Sequence, residues 1–206
     1  MPYAITRHFE SALCEYTGAP FAVAVNSCTA ALLLCVKWKV NPYFKDEYED
    51  IRPLFEIPSH TYVSVPCAIL NGGGNLQFMD YKWRGAYELH PHGIWDCARR
   101  FTSGMYRAGQ FQCVSFAASK ILGAEQGGAI LCDNAQADAW FRRMRFDGRT
   151  EGIDPLEDTF DLVGHHVIMI PSVAATLLVR LHHLPKHNED LPHYEYPDLS
   201  KHPAFR

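Results

Sequence analysis

The stretch from Ser115 to Gly128, SFAASKILGAEQGG, isolates one lysine, Lys120, between an apolar run at 111–116 and a Gly-Gly turn into a second apolar run at 129–132. Burying an ammonium is costly unless it is paired, neutralised or converted to an imine, so Lys120 is a candidate cofactor-binding lysine. Four other places could serve the same chemistry. Asn26-Ser27-Cys28-Thr29 opens an apolar helical run, where unpaired amides and the Thr29 hydroxyl can hold a phosphate or simply cap the helix. Asp96 closes the short run Gly93-Ile94-Trp95, as a sheet-edge carboxylate or as a turn residue. Ser115, five residues before Lys120, can reach the same anion or merely end a strand. Tyr62 follows Pro58-Ser59-His60-Thr61 and offers either a stacking face or a core ring.

The elements that must position these residues alternate along the chain. Thr6 to Tyr16 reads as a helix capped by Thr6 and stopped by Thr17-Gly18-Ala19-Pro20. Phe21 to Val25 is a short buried strand, followed by a helix over Ala30 to Trp38. Residues 39–55 are charged, carry Pro42 and Pro53, and read as a surface loop. A second strand, turn and helix run from Phe55 to Leu70, and Gly72-Gly73-Gly74 separates them from a strand at Leu76 to Met79. Strands at 93–96, 111–115 and 128–132, a helix at Ala135 to Phe146 and a last helix opened by Pro171 complete the order. Repeated βα units predict an α/β fold of three layers, α/β/α, with a mostly parallel sheet. Residues 1–184 are expected to form one cofactor-binding domain. Residues 185–206, with four prolines and few aliphatics, are expected to form an extended tail.

Composition narrows the field. The chain has 206 residues, 48% hydrophobic and 20% charged, enough for a sizeable core. Its net charge is −4 with scattered Lys and Arg, which speaks against a nucleic-acid partner. No apolar run approaches the roughly 20 residues needed to span a bilayer, and the N-terminus does not resemble a signal peptide, so no membrane partner and a cytoplasmic location are expected. Seven cysteines without a C-x-x-C pair predict reduced, packed thiols. The histidine doublets lack ligand spacing, so no metal is expected.

Taken in order, Phe9-Glu10, Tyr16-x-Gly18, Asn26 to Leu32, Pro58 to Tyr62, Asp96-x-Ala98, Ser115-Phe116-x-x-Ser119-Lys120 with Gly127-Gly128, and Gly164-His165-His166 to Ala175 resemble the DegT/StrS family of pyridoxal-phosphate (PLP) sugar aminotransferases. The resemblance covers residues 9–184. It implies Lys120 as the Schiff-base lysine and proton carrier, and Asp96 as partner of the pyridine nitrogen. It further implies Thr29, Ala30 and Ser115 on the phosphate and Tyr62 over the ring. The implied reaction moves an amino group from an amino acid, glutamate first, to a keto-sugar that is nucleotide-linked, within a homodimer.

Several positions depart from the family pattern. Cys28 replaces the usual Gly before Thr29, a change small enough to be tolerated. Arg99 stands where Gln or His is common near the cofactor 3′ oxygen; it either favours the phenolate there or faces solvent. His166 takes the place of an Asn lent to a neighbouring subunit's phosphate, and Ile168 that of an Arg. Only fifteen residues separate Asp80 from Asp96, and a small C-terminal domain is not expected after Leu184. Two other readings therefore compete with the aminotransferase: a PLP-dependent sugar dehydratase, against which the retained Lys120 speaks, and a non-catalytic binding or scaffold protein. Arg149 can meet a substrate phosphate or hold the connection to the last helix.

Overall fold

The computed structural model describes residues 3–41, 52–192 and 194–205. Helix α1 spans Ala4–Thr17, strand β1 Phe21–Val25 and helix α2 Cys28–Val40. Strand β2 is Leu54–Pro58, helix α3 Ser64–Asn71 and strand β3 Asn75–Met79. Strands β4 (Tyr87–Leu89), β5 (Ile94–Asp96), β6 (Phe111–Ser115) and β7 (Gly128–Cys132) precede helices α4 (Ala135–Met144) and α5 (Pro171–His182). Two 3₁₀ turns, Leu199–Lys201 and Pro203–Phe205, follow.

The strands explain the layering. In β1, Val23 and Val25 point into a core with α2, α3 and α4, while Ala22 and Ala24 point into a second core with α1 and α5. Strand β7 splits likewise, Ile130 and Cys132 against Ala129 and Leu131. A period-2 strand whose two faces are both apolar must be covered on both sides, which is the three-layer arrangement.

Strand pairing differs from the mostly parallel sheet expected. The main sheet runs β1-β7-β6-β5-β4, and only β5 with β6 is parallel within it; β2 and β3 form a separate parallel pair. A parallel neighbour needs a crossover, whereas β4 reaches β5 through a tight turn and β7 follows β6 through a loop without a helix. The Glu56–His90 bridge joins the two sheets at β4. Since β4 and β7 alone are reversed, β1, β2, β3, β5 and β6 all direct their carboxyl ends to one rim.

Helix boundaries shift in instructive ways. Thr6 does not cap α1, which starts at Ala4 with Tyr3 before it; Thr6 is buried inside the helix. Ser27 caps α2, its hydroxyl accepting from the Ala30 amide at 3.1 Å. The surface loop read at 39–55 lies for the most part outside the described residues, and its flanks belong to α2 and β2. Among the described residues no helix is long and apolar enough to cross a membrane.

Candidate active site

The shared rim opens into a cavity of about 850 Å3. Of the residues singled out above, Cys28, Thr29, Tyr62, Asp96, Arg99, Ser115 and Lys120 border it. Ala30 and His166 do not. The Ala30 amide is already taken by the Ser27 hydroxyl, and His166 sits on the outer surface, Nδ1 2.7 Å from Asp147 Oδ2.

Asp96 ends β5 and is buried. Its Oδ1 accepts from the Ala98 amide at 2.8 Å and its Oδ2 from the Tyr87 hydroxyl at 3.1 Å. Tyr87 is its register partner on β4, and the same hydroxyl contacts Thr61 Oγ1. Burial pushes the Asp96 carboxyl up, against the opposing pull of the Ala98 amide, Tyr87 and Lys120. Among the described residues it forms no direct salt bridge, and a buried acceptor of this kind fits a ligand N–H.

Lys120 sits on the loop after β6. Its amide donates to Ala117 O at 2.9 Å, the buried Leu122 anchors the loop, and the Ala124 and Phe116 amides close it on Phe116 O and Gly127 O at 2.7 and 2.8 Å. The amine is half-buried, and desolvation holds its pKa below the ordinary lysine value; Asp96 pulls upward and the Arg99 cation downward. A lysine more easily deprotonated than usual is a better carbonyl nucleophile.

Across the cavity, the start of α2 comes close to β7. A Cβ on Gly128 would lie 2.4 Å from the Cys28 amide nitrogen, so only glycine allows this approach. Cys28 borders the cavity, yet its thiol points to the Cys113 carbonyl at 3.5 Å. Thr29 Oγ1 donates to Ser64 Oγ at 2.8 Å, so a second hydroxyl, absent from the sequence reading, joins the anion-binding end. Ser115 closes β6 at the same rim. A buried carboxylate, a lysine whose pKa desolvation lowers, and hydroxyls beside a 13-residue helix's N-terminus form a set that fits pyridoxal phosphate.

Arg99 borders the cavity, and its guanidinium donates to the Pro192 carbonyl. The expected tail therefore does not run free. Leu191, Pro192, Tyr194, Tyr196 and Pro197 all line the cavity. Sequence alone carried no sign of this, because the segment lacks the periodic apolar pattern that marks an element. Tyr87 and Trp83 were missed as well; β4 is only three residues long, too short to register as alternation. Arg149 lies outside the cavity, stacked on the Phe146 ring at 5.1 Å and bonded to Ile153 O, and so holds the 147–164 connection.

Residues 2–103 and 96–191 match the DegT/DnrJ/EryC1/StrS aminotransferase family. Among solved structures, AtS13 from Actinomadura melliaura superposes with a TM-score of 0.74 at 20% identity, covering 87% of this chain and 60% of that one. Helicobacter pylori PseC, an aminotransferase of pseudoaminic acid biosynthesis, gives 0.72 at 18% identity over 88% and 58%. Bacillus subtilis NtdA with bound cofactor PMP gives 0.69 at 17% identity over 87% and 48%. The chain thus spans about half to three fifths of the length of these structures, which share its fold. No curated protein matches it.

Proposed function

Because the chain belongs to the DegT/DnrJ/EryC1/StrS aminotransferase family, we propose that it is a pyridoxal-phosphate aminotransferase, passing an amino group from an amino acid, glutamate foremost, to a keto-sugar carried on a nucleotide. The observation that carries this reading is the meeting of Asp96 and Lys120 in one cavity. Bound pyridoxal phosphate supplies an aldehyde and an electron-accepting ring.

The chain's own residues do the rest. Lys120 Nζ, its pKa lowered by desolvation, would hold the cofactor through its aldehyde carbon, a bond that forms with loss of water, and once displaced by the donor's amine would be free to accept and return the donor's α-proton. Asp96, oriented by Tyr87 and the Ala98 amide, accepts a ring N–H and keeps a negative charge beside it. Thr29, Ser64 and Ser115 receive the phosphate oxygens. Tyr62 covers one ring face. His166 is offered to the phosphate of a second copy, which makes the active unit a homodimer.

Incubation with pyridoxal phosphate followed by borohydride should leave a permanent mass increment on Lys120, absent in Lys120→Ala. A wild type without the increment overturns the reading and favours a non-catalytic scaffold. With glutamate added before borohydride, the increment should disappear and 2-oxoglutarate should be released in equal amount.

A further inference from the structure

The C-terminal segment is fastened to the site at several points. Arg100 forms a bidentate pair with Asp190, Nε to Oδ1 at 2.9 Å and Nη2 to Oδ2 at 2.7 Å, and the Leu191 amide donates to Arg99 O at 2.9 Å. Asp190 fits there because Gly85 has no side chain; a Cβ on Gly85 would lie 2.0 Å from Asp190 Oδ2. Further on, His60 Nδ1 bonds to Tyr196 O at 2.8 Å, and the Leu199 amide donates to Ser59 O at 2.9 Å. Leu191, Pro192, Tyr194, Tyr196 and Pro197 are thus a fastened wall of the cavity.

That wall is aromatic. The Tyr196 ring lies nearly parallel to Trp83, centroids 6.1 Å apart and 11° between planes, and meets Tyr194 at 4.8 Å and Tyr62 at 6.3 Å. Trp83 is itself fixed, its Nε1 donating to His60 O at 2.9 Å. Tyr62 and Tyr194 are each 58% exposed although both border the cavity. Ring faces left bare in a concave site call for a ligand with an apolar face of its own. Their hydroxyls call for one with polar edges. A pyranose has both, C–H groups on its faces and hydroxyls around its rim. The location agrees, because Tyr194, Tyr196 and Trp83 line the same cavity as Lys120.

We propose that Tyr194 and Tyr196, with Trp83, form the subsite for the sugar ring that carries the reacting carbonyl, beside the Tyr62 ring assigned to the cofactor, and that Tyr196 is a specificity-determining residue supplied by the chain's own C-terminal segment. This rests on the sugar aminotransferase reading, and the two can fail separately. UDP-glucose and TDP-glucose serve as probes, with UDP and TDP as the forms lacking the sugar. Calorimetry should show a sugar-nucleotide binding roughly tenfold or more weaker in Tyr196→Ala, with UDP and TDP unaffected by the change. Hydrogen exchange in the 194–199 peptide should slow when the sugar nucleotide is added, and not with UDP or TDP. Tyr196→Ala should keep the wild type's circular-dichroism spectrum and thermal-unfolding transition and still bind UDP and TDP, which shows that the variant folds and that the loss belongs to the sugar. Equal loss of UDP and UDP-glucose would make the wall a base subsite and overturn the proposal, as would failure of the wild type to bind either sugar nucleotide. Loss of sugar-nucleotide affinity in a protein that takes no mass on Lys120 would uphold the subsite and overturn the aminotransferase.

Discussion

At the residue scale, the balance of charge around Lys120 is testable by pH. Burial lowers its pKa, Asp96 opposes that, and Arg99 adds to it. Capture of pyridoxal phosphate needs the neutral amine, so the rate of mass addition should rise with pH to a midpoint below the ordinary lysine value of about 10.4. Arg99→Gln removes a cation and should move that midpoint up; Asp96→Asn removes an anion and should move it down. Opposite movements would show that the two side chains do not act on Lys120 through their charge. Asp96→Asn should also cut transamination by roughly a hundredfold or more, since an amide cannot hold a proton on the ring nitrogen. The lysine and this carboxylate were legible in sequence because each ends or follows an apolar strand. Tyr87, which orients Asp96, was not: its partnership is a cross-strand contact, and nothing along the chain signals register at three residues.

At the scale of elements, α1, β1 and α4 are locked by one buried cluster. Glu10 on α1 accepts from the Ala24 amide at 2.9 Å and pairs with Arg142 at 2.7 Å and with Arg145. Arg145, only 2% exposed, also donates to Ala24 O at 2.6 Å and pairs with Glu151 at 2.7 Å. Burial works to raise the Glu10 carboxyl, but the two guanidinium groups and the amide outweigh it, and its pKa is lowered. A depressed carboxylate stabilises the fold above its unfolded pKa, and that stability is lost as pH falls below about 4.5 toward the folded value. Glu10→Gln removes the anion that Arg142 and Arg145 share, leaving Arg142 to Asp138 and Arg145 to Glu151, and should cost about 1.5–3 kcal/mol in urea unfolding. The variant's stability should also fall less steeply than the wild type's between pH 5 and 3, on the order of the range over which such a group titrates. The Phe9-Glu10 pair was visible in the sequence as part of a motif. Its arginine partners lie more than 130 positions away, so what it does for the fold was not.

For the whole molecule, the layering was legible in the repeated βα units, whereas strand direction was not. The apolar run at 128–132 reads the same in either direction, and only the missing crossover helix betrays that β7 is reversed. The C-terminal segment marks the other limit: its contacts are single hydrogen bonds and ring faces scattered over Ser59, His60, Trp83, Arg99 and Arg100, a pattern with no period. Light scattering at micromolar concentration should report a dimer, and a monomer would remove the role given to His166.

Five strands that agree in direction put every reacting group on one rim and leave the other free of chemistry. Gly109, in the turn entering β6, lies on that far side, with its amide on Asp133 Oδ2 at 2.7 Å and open space where a side chain would stand. A dye, a biotin handle or a surface tether joined at this turn would therefore report on the protein without touching what it binds, and a grafted peptide there should leave cofactor capture at Lys120 as fast as in the parent chain.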